Sequence, residues 1–75
     1  MNLKEGIKNH TYVVQNISLE LQLARRLQSL GLTEGSQIVI LNNDKKGALT
    51  VKFRGTRFAI GKRIAESIEV TEVSA

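Results

Sequence analysis

Seventy-five residues, 41% of them apolar, make one small domain held by packing, since a chain this size buries only a little over ~60% of its unfolded surface. The sequence has no cysteine, which excludes disulfides and thiolate metal sites, the two usual staples of small domains. Eleven Lys and Arg against seven Asp and Glu leave a formal net charge of +4, favouring an acidic partner such as nucleic acid, a phosphate-bearing surface or an acidic protein.

No N-terminal stretch has the charged, apolar and small-residue regions of a signal peptide, and no apolar run approaches the ~20 residues needed to cross a bilayer. The expectation is a soluble, cytoplasmic protein that does not insert directly into the membrane.

Residues 1–9 carry Leu3 and Ile7 among polar neighbours, with Gly6 suited to a turn. Tyr12 to Ile17 is rich in β-formers and reads as the first strand. Ser18 is placed to cap a following helix, with Glu20 in its first turn, where a carboxylate suits the helix dipole. The helix is expected from Leu19 to Leu30. Its apolar face is Leu19, Leu23, Leu27 and Leu30 with Ala24 beside it, while Gln22, Arg25, Arg26 and Ser29 face away. Gly31 supplies the left-handed residue that ends many helices, Leu32 can fold back on the last turn, and Gly35 launches the next strand.

Gln37 to Leu41 contains four consecutive apolar residues, the pattern of a strand covered on both faces. Asn42 to Gly47 is a polar loop of turn formers. Leu49 to Arg54 alternates, with Leu49, Val51 and Phe53 inward. Gly55-Thr56 fits a two-residue hairpin loop with glycine first, the type II′ preference, and this would set Arg54 and Arg57 opposite each other. Arg57 to Ile60 returns with Phe58 and Ile60 inward. Gly61 to Ser67 suffices for one helical turn with Ile64 inward, and Ile68 to Val73 closes with a last strand. Five short strands, with one helix between the first and second, suit a mostly β fold. A small closed barrel removes exposed edges; a partly open sheet carrying the helix on one face is the alternative.

The catalytic inventory is thin. His10 is the single histidine and has no second His or Cys with which to share a metal. Asp44, Glu34 and Glu66 are isolated carboxylates that leave room only for a weak, mostly hydrated divalent metal ion. Gly61-Lys62 fails as a phosphate-binding loop, because position 56 is Thr and Arg63 stands where Ser or Thr must hold magnesium. Gly31 and Gly35 lack the central glycine of a dinucleotide fingerprint and precede a strand. The chain reads as a non-enzyme without a cofactor.

The basic residues are unevenly spread. Seven lie between Lys45 and Arg63 with no acid among them, and Arg54 and Arg57 could present a double-arginine tip to a carboxylate or phosphate. Tyr12, Phe53 and Phe58 are the only aromatics, and the two Phe fall on the inward pattern, which argues against stacking on single-stranded nucleic acid.

The chain as a whole resembles the FeoA family of small proteins of bacterial ferrous iron uptake. The matching pieces are Leu3-x-x-Gly6, Val14-x-x-Ile17 and Arg26-Leu27-x-x-Leu30-Gly31-Leu32-x-x-Gly35, followed by Gly55-x-x-Phe58-Ala59-Ile60-x-x-x-x-Ala65-x-x-Ile68-x-Val70. Glu34 stands where the family often has Pro, and Ile60-Gly61 where it often has Leu-Arg. The resemblance implies an SH3-like β-barrel and a single FeoA-like domain over residues 1–75. It also implies an accessory role for FeoB, the membrane transporter with a cytosolic GTP-binding domain. Arg25, Arg26, Arg54, Arg57, Lys62 and Arg63 are the expected partner-binding residues. The other reading, carried by the basic segment, is a nucleic-acid-binding or metal-responsive regulatory barrel, for which affinity would fall steeply with salt.

Overall fold

The computed structural model describes residues 1–73. A 3-10 turn at Leu3–Glu5 leads into β1 (Thr11–Ile17), α1 (Leu21–Ser29), β2 (Gln37–Asn43), β3 (Leu49–Phe53), β4 (Thr56–Ile60), α2 (Lys62–Glu66) and β5 (Ile68–Glu72). All strand pairs are antiparallel, in one sheet of order β4-β3-β2-β1-β5, so the expected mostly β topology with a helix between the first two strands is present.

Strand alternation builds the core. Tyr12 and Val14 of β1, Ile38 and Ile40 of β2, Leu49, Val51 and Phe53 of β3, and Ile68 and Val70 of β5 are all buried, joined by Leu3 from the N-terminal turn and Ala65 from α2. Burying each of the larger aliphatics stabilises the fold by about 1.5–3 kcal/mol. The Tyr12 hydroxyl sits inside with its hydrogen-bonding need met, because it accepts the Ile7 N–H at 2.8 Å. Gly6 is glycine for lack of room: an added Cβ would lie 2.9 Å from Ile40 Cγ1 and 3.0 Å from the Leu3 carbonyl oxygen.

The helix starts later than the sequence suggests. Ser18 does not cap it; its N–H donates to the Ser67 carbonyl at 2.8 Å, extending the β1–β5 pairing, and its hydroxyl accepts from Asn16 Nδ2 at 3.4 Å. With Ser18 held by the sheet, the first helical turn forms at Leu21, with Glu20 as a cap residue lacking a side-chain cap bond. The apolar face also packs less than its periodicity promises. No residue of α1 is buried, Leu27 alone of its side chains packs against the core, and Leu30 is 51% exposed.

The helix stop is as expected. Gly31 has φ 91°, its N–H donates to the Gln28 carbonyl at 2.9 Å, and the Leu32 N–H donates to the Leu27 carbonyl at 2.8 Å. This is the paired bonding of a Schellman motif, and Leu32 completes it by burying itself where Leu27 meets the core.

Three further expectations change. The apolar run of β2 is not covered on both faces: Ile38 and Ile40 are buried, but Val39 and Leu41 are only half-buried, and the ladder is irregular between Ile40 and Asn42. Val39 is shielded on the outer face by its register partners Thr11 and Lys52 instead of by a second layer. The β3–β4 turn is Arg54-Gly55, not Gly55-Thr56. Both residues have positive φ, 53° and 79°, which makes it type I′, whose twist matches that of the strands. Consequently Lys52, not Arg54, faces Arg57. Finally, the barrel is not hydrogen-bonded all the way round. β4 and β5 form the two ends of the ladder, with α2 as the connection between them.

The left-handed conformation at Gly31 and at Gly35 (φ 89°) costs an L-residue about 1–2 kcal/mol. Gly31→Ala and Gly35→Ala are each expected to lower unfolding free energy by that order in urea denaturation. Two unchanged midpoints would refute the backbone argument. The Lys4 ammonium hydrogen-bonds Glu66 at 2.7 Å and, with a smaller contribution from Arg63, holds its carboxyl below the ordinary value of 4.5. A depressed carboxyl contributes stability above that range, lost as pH falls through its folded value. Glu66→Gln should therefore lower Tm slightly at neutral pH and converge with the parent once the pH is low enough to protonate the folded carboxyl. A gap in thermal melts that persists in acid would contradict this.

Candidate interaction surface

An apolar cleft of about 110 Å³ opens where the end of α1, the β3–β4 hairpin and α2 come together. Leu27 and Leu30 line it from α1, Leu32 from beyond the helix stop, Phe53 and Phe58 from the hairpin, and Ile64 from α2. The two Phe rings are 6.4 Å apart and tilted by 48°, within the range of favourable aromatic pairs.

Basic side chains stand on each of the three bordering elements. Arg25 and Arg26 are exposed on α1. Arg54 lies in the hairpin turn, its guanidinium 5.8 Å from the centroid of the Phe53 ring, and against Gly31, where an added Cβ would come within 2.4 Å of Nη1. Arg57 is exposed on β4 opposite Lys52. Arg63 is exposed on α2. The six expected contact residues thus fall as three pairs on three elements, not as one cluster.

Lys62 differs from the other five. It is half-buried and donates to Asn43 Oδ1, while Asn43 Nδ2 donates to the Gly6 carbonyl at 2.6 Å and the Lys4 carbonyl at 3.1 Å. Asn43 thereby ties the end of β2 to the N-terminal turn and to α2. In sequence it looked like one turn former among several, and only its partners reveal the role. The cleft itself was equally hidden, because the spacing of Leu30 and Ile64 reads as ordinary core.

His10 Nδ1 pairs with Glu72 at 2.7 Å on the surface. Among the described residues no three His, Cys, Asp or Glu side chains gather in a way that could hold a metal ion. Among the same residues, no helix is long and apolar enough to cross a membrane.

A small antiparallel barrel with an apolar cleft, and exposed basic side chains on the elements that form it, has the form of a binding module. The FeoA domain family matches residues 1–72, and this chain belongs to the FeoA family, a non-enzymatic accessory domain implicated in ferrous iron transport. A crystal structure of the iron uptake regulatory protein FeoA is similar at 32% identity and TM-score 0.89, covering 97% of each chain. The zinc complex of FeoA from Stenotrophomonas maltophilia is similar at 28% identity and TM-score 0.81, over 95% of this chain and 89% of that one. That protein is described as a procaryotic SH3 domain protein and a candidate bacterial ferrous iron transport activating factor, and the fold here is likewise SH3-like. The manganese regulator SloR shares the fold at 20% identity and TM-score 0.83, over 96% of this chain and 34% of its own length. No curated protein matches the chain in sequence.

The Asn43 network gives a direct check on which basic residues serve the fold. Asn43→Ala leaves the Lys62 ammonium and two carbonyls short of a partner and is expected to cost about 1–3 kcal/mol in chemical denaturation. Arg25→Ala, on an exposed helix position, should stay within about 0.5 kcal/mol. Equal costs would remove the distinction.

Proposed function

We propose that the chain docks on the cytosolic part of a FeoB-type GTP-binding transporter and supports ferrous iron uptake there without catalysing a reaction. The observation that carries this is the match of the FeoA domain over residues 1–72. The cleft between α1, the hairpin and α2 supports it, since docking surfaces have an apolar centre, and exposed basic residues on the same elements supply charge. Arg54, Arg57, Arg25, Arg26 and Arg63, exposed on the elements that form the cleft, are the expected contacts, steering an acidic face of the partner. Lys62 contributes less, because Asn43 already holds it. Nucleic acid is the weaker reading: Tyr12 and Phe53 are buried and Phe58 is half-buried, so no aromatic stands free for base stacking.

The test is an NMR titration of labelled protein with the transporter's folded cytosolic domain. Shifts are expected at the end of α1 and along the β3–β4 hairpin, weakening with salt. Arg54→Glu with Arg57→Glu is expected to weaken binding by about tenfold or more, chiefly through the on-rate. An unchanged spectrum at high micromolar partner would refute direct docking.

A further inference from the structure

The sheet has two edges, and they are treated differently. The edge of β5 is covered by the chain's own start: the Val70 N–H donates to the Met1 carbonyl at 2.8 Å, and Asn2 bridges to Glu69. β4 pairs with β3 alone, and among the described residues no other backbone hydrogen bond reaches it. The register settles which groups are free. Phe53 and Thr56 flank the two-residue turn as a hydrogen-bonded pair, so by alternation Phe58 and Ile60 also turn their backbone groups to β3. Arg57 and Ala59 therefore point their N–H and C=O groups outward.

We propose that this edge of β4 is a strand-addition site for an extended segment of alternating acidic and apolar residues, contributed by the docking partner. The proposal rests on the docking role above and names the kind of segment that docks. An added strand places alternate side chains on opposite faces. On the inner face lies the cleft, with Leu30 exposed at 51% and Phe58 and Ile64 beside it. Its ~110 Å³ suits one aliphatic side chain, on the scale at which a ~150 Å³ cavity admits benzene. On the outer face stand Lys52 and Arg57 with no acid between Lys45 and Arg63 to neutralise them, so the outward residues of the added strand are Asp or Glu.

The same charge disfavours the other obvious occupant. Two β4 edges paired antiparallel would bring Arg57 of both copies close together, and like charges across strands are destabilising. β4 otherwise lacks the usual guards, with no proline and no register shift against β3. Arg57 admits an acidic strand and rejects its own copy.

The probe is a fluorescein-labelled peptide, Ser-Glu-Val-Glu-Leu-Glu-Val-Ser, followed by anisotropy and amide hydrogen exchange. Binding is expected to weaken with salt, with exchange protection gained at Arg57 and Ala59, and to vanish when the Glu residues are replaced by Lys. Ala59→Pro removes an outward donor without touching the β3 bonds and should weaken binding by about tenfold. Two peptides N-methylated on alternate residues test the same bonds without altering the protein, and one of them must lose binding. Undiminished binding of both, or protection confined to other amides, overturns the proposal. Protection of Arg57 and Ala59 that rises with protein concentration in the absence of peptide, accompanied by sedimentation as a dimer, also overturns it in favour of a second copy. Exchange with the transporter's cytosolic domain separates the two readings. Binding that leaves Arg57 and Ala59 unprotected sinks strand addition and keeps docking. A peptide that binds at β4 while the domain does not keeps the strand-addition site and sinks the choice of partner.

Discussion

At Gly31 the backbone runs with φ 91° and no Cβ, and three elements meet on that fact. The conformation ends α1 with the two hydrogen bonds of the Schellman motif and turns Leu32 into the interior. The bare face left by the missing side chain receives the Arg54 guanidinium, which also lies over Phe53. Since α1 buries no residue of its own, this stop and the meeting of Leu27 with the core around Leu32 do much of the work of keeping the helix on the barrel. The hairpin turn is stabilised by the same arrangement, because Arg54 holds a left-handed conformation that an isolated arginine would seldom adopt.

The opposite end of the molecule is organised by polar groups. Asn43 joins the carbonyls of Lys4 and Gly6 to the ammonium of Lys62, and Lys4 pairs with Glu66. These contacts fix the N-terminal turn beside α2, which lets Met1 and Asn2 lie along β5 and cover that edge. The chain thus spends its N-terminus on one edge of the sheet and leaves the other, beside the apolar cleft, available. The two sides therefore differ: one is closed by its own backbone, and the other carries unpaired strand-edge groups, a hydrophobic recess and positive charge.

Much of the fold was legible because burial follows simple periods. Leu49, Val51 and Phe53 alternate, Ile68 and Val70 alternate, and all five are buried. Two of the errors share one cause, strand pairing that overrides a local preference. Ser18 is a good helix cap by local chemistry, yet Ser67 takes its amide into the sheet. Gly55-Thr56 is a good turn by local preference, yet the ladder from Leu49↔Ile60 to Phe53↔Thr56 fixes the register so that Arg54 enters the turn. Of the candidate site, the basic residues could be named from sequence, but not that Lys62 is engaged by Asn43 or that the others are exposed on the three elements that form a cleft.

By itself, the sequence determined the strand and helix order, the helix stop at Gly31, the family and the basic character of the surface. Each of these depends on residues close together or on composition, where hydrophobic period and glycine's freedom act locally. The tertiary structure decided which edge of the sheet is covered, which arginine sits in the turn, and which basic side chains are free. Those outcomes depend on the precedence of one strand pairing, hydrogen bond or side-chain contact over an equally acceptable local alternative, and no local pattern encodes that competition.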